Sequence, residues 1–324
     1  MRAVVVSQPG DVDSLEVVDL PVPEPGPGEV LIEVTAAGVN RADLMQRRGL
    51  YDPPPGATPV LGLECSGSIA AVGEGVTDLP PGTQVCALLS GGGYAEYVAV
   101  PAGQVAVVPR GVSLLDAAGL MEVACTVWSN VFMMGKLDNG ETLLAHGGGS
   151  GIGTMAIQLG KAFGARVAVT VGSEAKAAFC RELGADIVIN YREQDFAEVL
   201  KEQGVTADVI LDIIGAKYLA ANISVLSTAG RLVIIGLQGG LRGELDIGAL
   251  LTKRAAVMAT SLRARPTAEK AAIVSAMVAQ VWPLVADGTV RPIIHATYPL
   301  EDVRAAHQVL EDSSHTGKVL LTLN

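Results

Sequence analysis

The stretch Leu143–Gln158, LLAHGGGSGIGTMAIQ, places five glycines within seven positions, between an apolar run and a run with helical spacing. Glycines at this density are typical of three structures: a flexible linker, an ordinary tight turn, or a backbone cradle for a phosphate group. The preceding run, Glu141–His146, predicts a strand, and the following run, Thr154–Lys161, predicts a helix with apolar residues on one face. Because the glycines fall between a strand and a helix, a linker is excluded.

The same alternation of strand and helix continues along the chain from about residue 122. Strand-like runs are ETLLAH, RVAVTV, DIVIN, ADVILDII and GRLVIIG, and helix-like runs cover residues 151–163, 174–183, 194–203 and 217–227. This pattern predicts a parallel sheet covered by helices. In such a fold the glycine turn lets the backbone approach the pyrophosphate of a dinucleotide, and the helix-start amides receive its charge. The residues expected to form this cradle are Gly148, Ser150 (where a second glycine usually stands), Gly151 and Ile152.

The first hundred residues have a different pattern, with short β-type runs separated by turn segments such as PVPEPGPGE and DPPPGATP. This spacing predicts a β-rich, barrel-like or roll domain. Near the end of the chain, a long helix-like segment (267–286), a short helix and a final strand follow the motif SLRAR. We therefore predict a β-rich domain built from residues 1–121 and 264–324, with an α/β domain, residues 122–263, inserted between its two parts.

Composition limits the classes of function. The 324 residues carry a formal net charge of −11, which argues against a nucleic-acid partner because phosphate binding needs a basic surface. No uninterrupted apolar run reaches the ~18 residues of a membrane span, and the N-terminus has no signal-peptide pattern, so no membrane association and a cytoplasmic location are expected. The four cysteines, which are far apart and include no C-x-x-C pair, predict neither disulfides nor a zinc ribbon.

The end of the second predicted strand indicates which dinucleotide binds. An NAD site usually has an acidic residue there, which holds the ribose 2′-hydroxyl. Here Gly172 and Ser173 stand at that position, which leaves room for a 2′-phosphate, with Lys176 as its counter-charge and Tyr191 as a hydroxyl donor. Glu174 is compatible with a phosphate only if its side chain points away. The pattern favours NADP(H) over NAD(H).

The motifs GVNRADLMQRRGLYDPPPG, LGLECSG, GSGIGTMAIQLGKAFGA, VGSEAK, INYREQDF, SLRAR and HTGKVLL together resemble the zinc-free quinone oxidoreductase branch of the medium-chain dehydrogenase/reductase superfamily. The resemblance extends through nearly the whole chain. It implies an α/β fold in which a Rossmann doubly wound parallel sheet domain is inserted into a β-rich GroES-like domain, with the cofactor in the cleft. It also implies that Asn40, Tyr51 and Thr126 lie beside the nicotinamide as catalytic and cofactor-binding residues. Further implied cofactor contacts are Gly236, Leu237, Ser261 and Leu262, with Arg263 and Lys318 as cations for phosphates or, equally, as solvated charges.

Structural interpretations stay open for the three nicotinamide-side residues. Asn40 is also typical of a strand-to-helix turn, Tyr51 of packing under the DPPPG loop, and Thr126 of a hydroxyl bonded to its own helix backbone. Two further polar residues are interpreted as structural: Asp43 as a surface or helix-start charge, and His146 as a strand-end histidine.

No metal site is predicted. A catalytic zinc needs three ligands from Cys, His, Asp or Glu and one open position. In the zinc-dependent relatives a cysteine opens the motif that here reads Val39-Asn40-Arg41, and a histidine stands where this chain has Leu63, so Glu64 alone is left. The cysteine-rich structural-zinc lobe is replaced by LLSGGGYAEY.

Three functions remain as hypotheses. The first is NADPH-dependent reduction of quinones, which accept hydride without a metal. The second is NADPH-dependent reduction of a carbon–carbon double bond in an enal, enone or enoyl thioester, and the third is a crystallin-like NADPH-binding protein whose turnover is incidental. The expected partners are a small-molecule quinone or enone substrate and a second copy of the chain, which pairs through the segment AAVMATSL (255–262) at the edge of the sheet.

Overall fold

The structure is a computed structural model that describes residues 1–323. These residues divide into two compact units: unit 1 is Met1–Cys125 together with the chain from Leu262 onward, and unit 2 is Thr126–Ser261. The strands are β1 (Arg2–Val6), β2 (Leu15–Asp19), β3 (Glu29–Val39), β4 (Glu64–Val72), β5 (Gln84–Leu88), β6 (Tyr97–Pro101), β7 (Val105–Val107), β8 (Thr142–His146), β9 (Arg166–Val171), β10 (Ile187–Asn190), β11 (Ala207–Asp212), β12 (Leu226–Ile234), β13 (Ala256–Ala259), β14 (Ile294–Pro299) and β15 (Lys318–Thr322). The helices are α1 (Arg41–Arg47), α2 (Leu114–Ala117), α3 (Met121–Val127), α4 (Gly151–Ala162), α5 (Glu174–Glu182), α6 (Phe196–Glu202), α7 (Leu219–Val225), α8 (Ile247–Lys253), α9 (Thr267–Ala286) and α10 (Val303–Glu311).

Unit 2 contains a parallel six-stranded sheet in the order β10-β9-β8-β11-β12-β13. The chain runs outward from β8 through β9 and β10, then returns to the other side of β8 as β11. The strand order therefore reverses between β8 and β11, as it does in a Rossmann fold. The predicted parallel sheet with covering helices is confirmed. Its glycine loop follows β8 at the reversal, where open α/β sheets bind their ligands.

Unit 1 is built around a seven-stranded sheet in the order β14-β15-β3-β4-β5-β7, with β6 pairing to β3. The eleven-residue strand β3 pairs antiparallel with β4 on one side and with β15 on the other. In this register Val319 lies opposite Val39. The last strand of the chain therefore completes the sheet begun by the first hundred residues, and this places Lys318 next to the end of β3.

Local sequence patterns predict the positions of most helices. Where a helix end differs from the prediction, strand pairing sets it. The predicted helices at 151–163 and 267–286 correspond to α4 and α9. The helix predicted at 217–227 ends early, because Leu226 already pairs with Ala207 of β11 as the start of β12. Helix α8 was not predicted, although Asp246 caps it by accepting a hydrogen bond from the Ala249 amide at 2.9 Å.

Helix α9 is long and apolar enough to cross a membrane, judged by length and composition only. Its buried side chains recur every three or four positions from Lys270 to Val285, as they do when one helix face packs on a protein core. The indole of Trp282 also donates to the Val107 carbonyl at 2.8 Å. A core helix passes the same test as a membrane span, so this helix is weak evidence for membrane association.

Candidate functional site

The glycine loop forms a tight turn between β8 and α4. Gly147 has a φ of +78°, in the left-handed region that favours glycine. A Cβ on Gly153 would lie 2.3 Å from the carbonyl oxygen of Gly147, so the first turn of α4 packs directly on the loop. Ser150 is the N-cap of α4, and its Oγ accepts a hydrogen bond from the Gly153 amide at 3.0 Å. Since a hydroxyl that accepts still carries its own proton, Ser150 retains a donor for a phosphate oxygen.

The remaining predicted loop residues surround this turn. A Cβ on Gly148 would lie 2.7 Å from Cβ of Val169 on β9, so Gly148 provides close packing while Gly147 provides the left-handed turn. Gly151 and Ile152 form the first turn of α4 and are half-buried. The loop thus has both features of a phosphate cradle, backbone that a ligand can approach and a helix start beside it.

The residues predicted to hold a 2′-phosphate lie together at the end of β9. The hydroxyl of Tyr191 lies over Gly172, where a Cβ would come within 2.5 Å of it. Ser173 caps α5 and accepts from the Lys176 amide at 3.4 Å. The Lys176 side chain passes across Gly149 of the glycine loop, where a Cβ would lie 2.9 Å from its Cδ. The Tyr191 hydroxyl and the Lys176 ammonium group therefore flank the corner at Gly172, beside the cradle.

The carboxylate of Glu174, which would repel a bound phosphate, forms an ion pair outside this site. Glu174 Oε1 accepts from Arg181 at 2.7 Å, and its side chain is 68% exposed. Burial lowers the pKa of Lys176, and the charge of Arg192 lowers it further. The positive charges of Lys176 and Arg192 thus both act on this corner, which favours binding of an anion there.

A buried carboxylate that the sequence analysis missed lies at the end of β11, next to β8. Asp212 accepts hydrogen bonds from the Ile214 amide at 2.7 Å and the Gly215 amide at 3.1 Å. Burial raises its pKa to about 6. The indication in the sequence was a single acidic residue at the end of the apolar run that forms β11. Asp212 fixes the turn at the strand reversal rather than contacting the predicted site residues.

Gly236, the first of the predicted residues after β12, packs against this turn. A Cβ on Gly236 would lie 2.6 Å from the Ile213 carbonyl oxygen, so only glycine fits there without movement. Leu237 is 52% exposed, and Ser261, the last residue of unit 2, is exposed. Leu262, predicted with them, is buried in unit 1.

In unit 1, Asn40 is held by a buried ion pair. Lys318 Nζ lies 2.6 Å from Glu64 Oε1 and donates to Asn40 Oδ1 at 2.6 Å, while Asn40 Nδ2 donates to the same Glu64 oxygen at 3.0 Å. Lys318 also donates to the Val39 carbonyl at 3.1 Å. Glu64 is fully buried, and Lys318 is buried too, so the alternative of a solvated charge is wrong for Lys318.

The same carboxylate reaches helix α3. Glu64 Oε2 accepts from the Glu122 amide, in the first turn of α3, at 3.0 Å. There is no space beside it, since a Cβ on Gly38 would lie 2.3 Å from Glu64 Oε1. Glu64 therefore connects Asn40, Lys318 and the start of α3 in one rigid arrangement.

Asp43 was expected at the surface or at a helix start, and only the second part is correct. It lies in the first turn of α1 and accepts from the Asn40 amide at 2.8 Å, but it is fully buried. It also accepts from the Gly62 amide at 3.2 Å and the Tyr94 hydroxyl at 3.0 Å. Burial raises its pKa to about 6. Polar partners 19 and 51 residues away compensate for this burial, and the sequence gives no sign of them.

Tyr51 and Arg263 contact each other. The guanidinium carbon of Arg263 lies 5.3 Å from the centre of the Tyr51 ring, and its Nη1 donates to the Tyr51 carbonyl at 3.3 Å. Arg263 is buried, so the alternative of a solvated charge is wrong here too. Its other bonds go to Gln46 Oε1 at 2.7 Å and the Ser90 carbonyl at 2.9 Å.

Thr126 and His146 are both buried in unit 2. The Thr126 carbonyl accepts from Asn130 Nδ2 at 2.7 Å within the helical segment that follows. His146 contacts Thr170 Oγ1 at 3.1 Å and Asn222 Oδ1 at 2.7 Å. Burial lowers the pKa of His146 to about 4, which fits the structural role predicted for it.

Between residues 1 and 323, no three His, Cys, Asp or Glu side chains gather in a group able to hold a metal ion. The four cysteines there are buried free thiols.

Comparison with known proteins identifies the family. Residues 26–110 match the family described as "Alcohol dehydrogenase GroES-like domain", and residues 183–321 match "Zinc-binding dehydrogenase". Quinone oxidoreductase of Rattus norvegicus is 30% identical over 333 residues, which cover 100% of this chain and 98% of that protein. The chain belongs to the medium-chain dehydrogenase/reductase superfamily. Its GroES-like and Rossmann parts are those of this superfamily.

Other members of the superfamily that match differ in length. The human synaptic vesicle membrane protein VAT-1 homolog is 30% identical over 99% of this chain and 86% of that protein. A mycocerosic acid synthase-like polyketide synthase of Mycolicibacterium smegmatis is also 30% identical over 98% of this chain, but the match spans only 15% of that much longer protein.

Solved structures share the whole fold. Escherichia coli quinone oxidoreductase complexed with NADPH superposes with a TM-score of 0.90 at 29% identity, with all of both chains covered. An NAD-dependent alcohol dehydrogenase gives 0.88 at 32% identity, again over all of both chains. CurK enoyl reductase gives 0.86 at 26% identity over 100% of this chain and 99% of that one. Superfamily members with different acceptors and cofactors thus have this fold.

Proposed function

We propose that this chain is an NADPH-dependent, zinc-independent reductase that transfers a hydride from the nicotinamide to a quinone, as in the zinc-free quinone oxidoreductase branch. Its cofactor is NADP(H). The support is the corner formed by Gly172, Tyr191 and Lys176, whose neighbouring carboxylate Glu174 pairs with Arg181, together with the likeness to a quinone oxidoreductase complexed with NADPH. The glycine loop and Ser150 fit the pyrophosphate.

The observation that carries the zinc-independent part of the proposal is the ammonium of Lys318 against Glu64 and Asn40. A catalytic zinc needs three protein ligands, whereas Leu63 supplies none and Glu64 already pairs with a cation. A second cation next to Lys318 would be repelled at this distance. The donor set does not fit zinc, and no step of the proposed reaction uses one.

Without a metal, rate enhancement must come from orientation and from an acceptor that is reactive by itself. When bound, the nicotinamide supplies the hydride. By the resemblance to this branch, Asn40, Tyr51 and Thr126 supply the amide and hydroxyl groups that orient the carboxamide and the incoming carbonyl, and such orientation supplies much of the barrier lowering. A reduced quinone can take its protons from water, so no dedicated acid is required.

The second candidate function is reduction of a carbon–carbon double bond conjugated to a carbonyl. It is supported by the likeness to CurK enoyl reductase and to one segment of a polyketide synthase. In that reaction carbon must be protonated, so the Tyr51 hydroxyl or an ordered water would take a larger part.

Steady-state assays with a panel of acceptors distinguish these functions. We expect NADPH oxidation with 1,2-naphthoquinone and little with trans-2-alkenals, and a higher kcat/KM with NADPH than with NADH. The reverse acceptor preference would support the double-bond reductase, and NADPH binding without turnover of any acceptor would support a crystallin-like protein. Stoichiometric zinc in the purified protein would contradict the zinc-independent mechanism.

We also propose that the chain forms a homodimer through the β13 edge of unit 2. One edge of β13 pairs with β12, and its other edge has no strand partner within the described residues. The segment before it exposes large apolar side chains, five of the twelve exposed ones among the described residues. These are Leu237, Leu241, Leu245, Ile247 and Leu251. A twofold pairing would extend the sheet and cover this apolar surface.

A further inference from the structure

Two buried cations in unit 1 contact only neutral groups. Arg263 and Lys270 are 4% and 5% exposed. Their side chains meet at Ser90, where Arg263 Nε donates to the carbonyl at 2.9 Å and Lys270 Nζ donates to the hydroxyl at 2.5 Å. Lys270 also donates to the Arg263 carbonyl at 3.3 Å, and the remaining bonds of Arg263 go to the Gln46 amide oxygen and the Tyr51 carbonyl.

The other buried cations of the unit are paired. Arg47 contacts Glu311, and Lys318 contacts Glu64. Within the described part of the chain, no carboxylate lies within the 4 Å of an ion pair from Arg263 or Lys270. Asp43, Glu122 and Asp52 act on Arg263 from farther away, and Glu122 also acts on Lys270. Arg263 and Lys270 are also close enough to repel each other. Unpaired buried charge is expensive, and two such charges of one sign are more so, unless an anion binds.

Both cations line one cavity of about 830 Å³ within unit 1. Its wall includes the loop residues Ser90, Gly91 and Gly92. Gly91 and Gly92 have φ values of +150° and +95°, which favour glycine. A Cβ on Gly91 would lie 2.8 Å from the Thr58 carbonyl oxygen, so the loop is fixed in this shape.

We propose that Arg263 and Lys270 form a binding site for an anionic group, a carboxylate or a phosphate, carried by the acceptor substrate. Each Nη of Arg263 donates once and keeps a second N–H for an anion, and Lys270 adds a point charge. Arg263 also lies over the ring of Tyr51, so an anion bound here is held next to a residue assigned to the acceptor. This inference rests on the proposed function and narrows its substrate to acceptors with a negatively charged group.

The first experiment measures binding without turnover. The thermal midpoint of the full chain is recorded with saturating NADP⁺ and increasing inorganic phosphate, against sodium chloride of equal ionic strength. Phosphate at ten times its Kd is expected to stabilise the wild type by mass action, and Lys270→Met is expected to lose this effect. Lys201→Met removes a lysine from an exposed position on α6 and is expected to retain it.

The second experiment compares two acceptors that differ only in charge, 1,4-naphthoquinone and its 6-carboxylate. In Lys270→Met, kcat/KM for the carboxylate is expected to fall about tenfold or more, as for loss of one charged hydrogen bond, and less than about twofold for the parent quinone. Lys270→Arg retains the charge and is expected to keep the preference for the carboxylate.

The outcomes separate this site from the proposed reaction. If Lys270→Met lowers kcat/KM equally for both acceptors, Lys270 serves only in packing and the anion site is overturned. The phosphate titration is repeated without NADP⁺. Stabilisation by phosphate in its absence but not in its presence would assign the cations to the cofactor and overturn the acceptor site. If neither quinone is reduced, quinone reduction fails as the function, while phosphate stabilisation that depends on Lys270 still supports the anion site.

Discussion

At the scale of single residues, the pairing of buried charges decides what Asn40 can do. Both polar atoms of its amide are engaged, Oδ1 by Lys318 and Nδ2 by Glu64 and the Gly38 carbonyl at 3.2 Å. The amide therefore has one orientation, which a free asparagine at a turn would not have. Lys318 and Glu64 act on the proposed reaction as positioning residues, through Asn40.

Replacing Lys318 with methionine tests this role. The change leaves Glu64 buried without its cation, and breaking a buried pair costs about 3–5 kcal/mol of unfolding free energy. The double variant Lys318→Met/Glu64→Gln removes the unpaired charge and is expected to regain most of the thermal midpoint. Because Oδ1 of Asn40 still lacks its lysine donor, kcat/KM is expected to stay about tenfold low or more. Recovery of both stability and rate in the double variant would argue against positioning; Lys318→Arg, which keeps the charge, is the control.

His146 predicts a loss of stability in acid. Its pKa is about 4 in the folded chain, against 6.5 for an unperturbed histidine. Below pH 6.5 the unfolded chain binds a proton here that the folded chain does not, so stability falls as the pH drops from 6.5 towards 4. Between pH 7.5 and 5 this amounts to about 2 kcal/mol. Thermal unfolding at the two pH values should show a smaller decrease for His146→Gln than for the wild type, and an unchanged decrease for the exposed control His295→Gln.

At the scale of elements, two strand-to-helix turns in unit 2 build the proposed cofactor site. The β8–α4 turn contributes the glycine loop, and the β9–α5 turn contributes Gly172, Ser173 and Lys176. Each helix begins at a serine whose side chain accepts from a first-turn amide, Ser150 for α4 and Ser173 for α5. Since β8 and β9 are neighbours in the sheet, both helix starts lie at the same edge.

Gly172→Ala tests the second of these turns. A Cβ would come within 2.5 Å of the Tyr191 hydroxyl, which must then leave its position over the turn. We expect the KM for NADPH to rise about tenfold, the loss of one hydrogen bond to a charged phosphate, with little change for NADH. Lys176→Ala should likewise raise the ratio of the KM for NADPH to the KM for NADH. Gly248→Ala in α8 is the matched control; an unchanged NADPH-to-NADH ratio in both site variants would falsify the 2′-phosphate assignment.

At the scale of the whole molecule, the two units carry different parts of the chemistry. Unit 2 holds the residues suited to phosphates, and unit 1 holds Asn40, Tyr51, the Glu64–Lys318 pair and the Arg263–Lys270 pair. Unit 2 also exposes the apolar segment that precedes β13. The proposed dimer is a property of this unit alone.

If the chain dimerises through the segment before β13, charged substitutions in that segment should separate the dimer into monomers. Ile247 and Leu251 are 71% and 76% exposed, so Ile247→Asp/Leu251→Asp should not unfold the chain but should make a charged interface. Light scattering coupled to size-exclusion chromatography is expected to give a dimer for the wild type and a monomer for the variant. Leu50→Asp, at an exposed leucine of unit 1, should remain dimeric. A monomeric wild type would contradict the proposal.

The sequence by itself determined the fold class, the glycine loop and the neutral corner at Gly172, because these depend on local periodicity and turn chemistry. It also located the helices whose ends are marked by caps, such as α4 and α5. These features need no knowledge of which strands pair.

Only the tertiary structure decided which charges are buried and what they contact. Lys318 and Asn40 are 278 residues apart, and they meet because β15 pairs with β3 in one register. Asp43 becomes buried through contacts with Gly62 and Tyr94, and the side chains of Arg263 and Lys270 meet at Ser90. Residue type and spacing carry no record of such distant contacts, since burial is set by the packing of many elements at once. The sequence predicted Lys318 as a cation for a phosphate or as a solvated charge. In the structure Lys318 is buried and donates a hydrogen bond to the Asn40 amide.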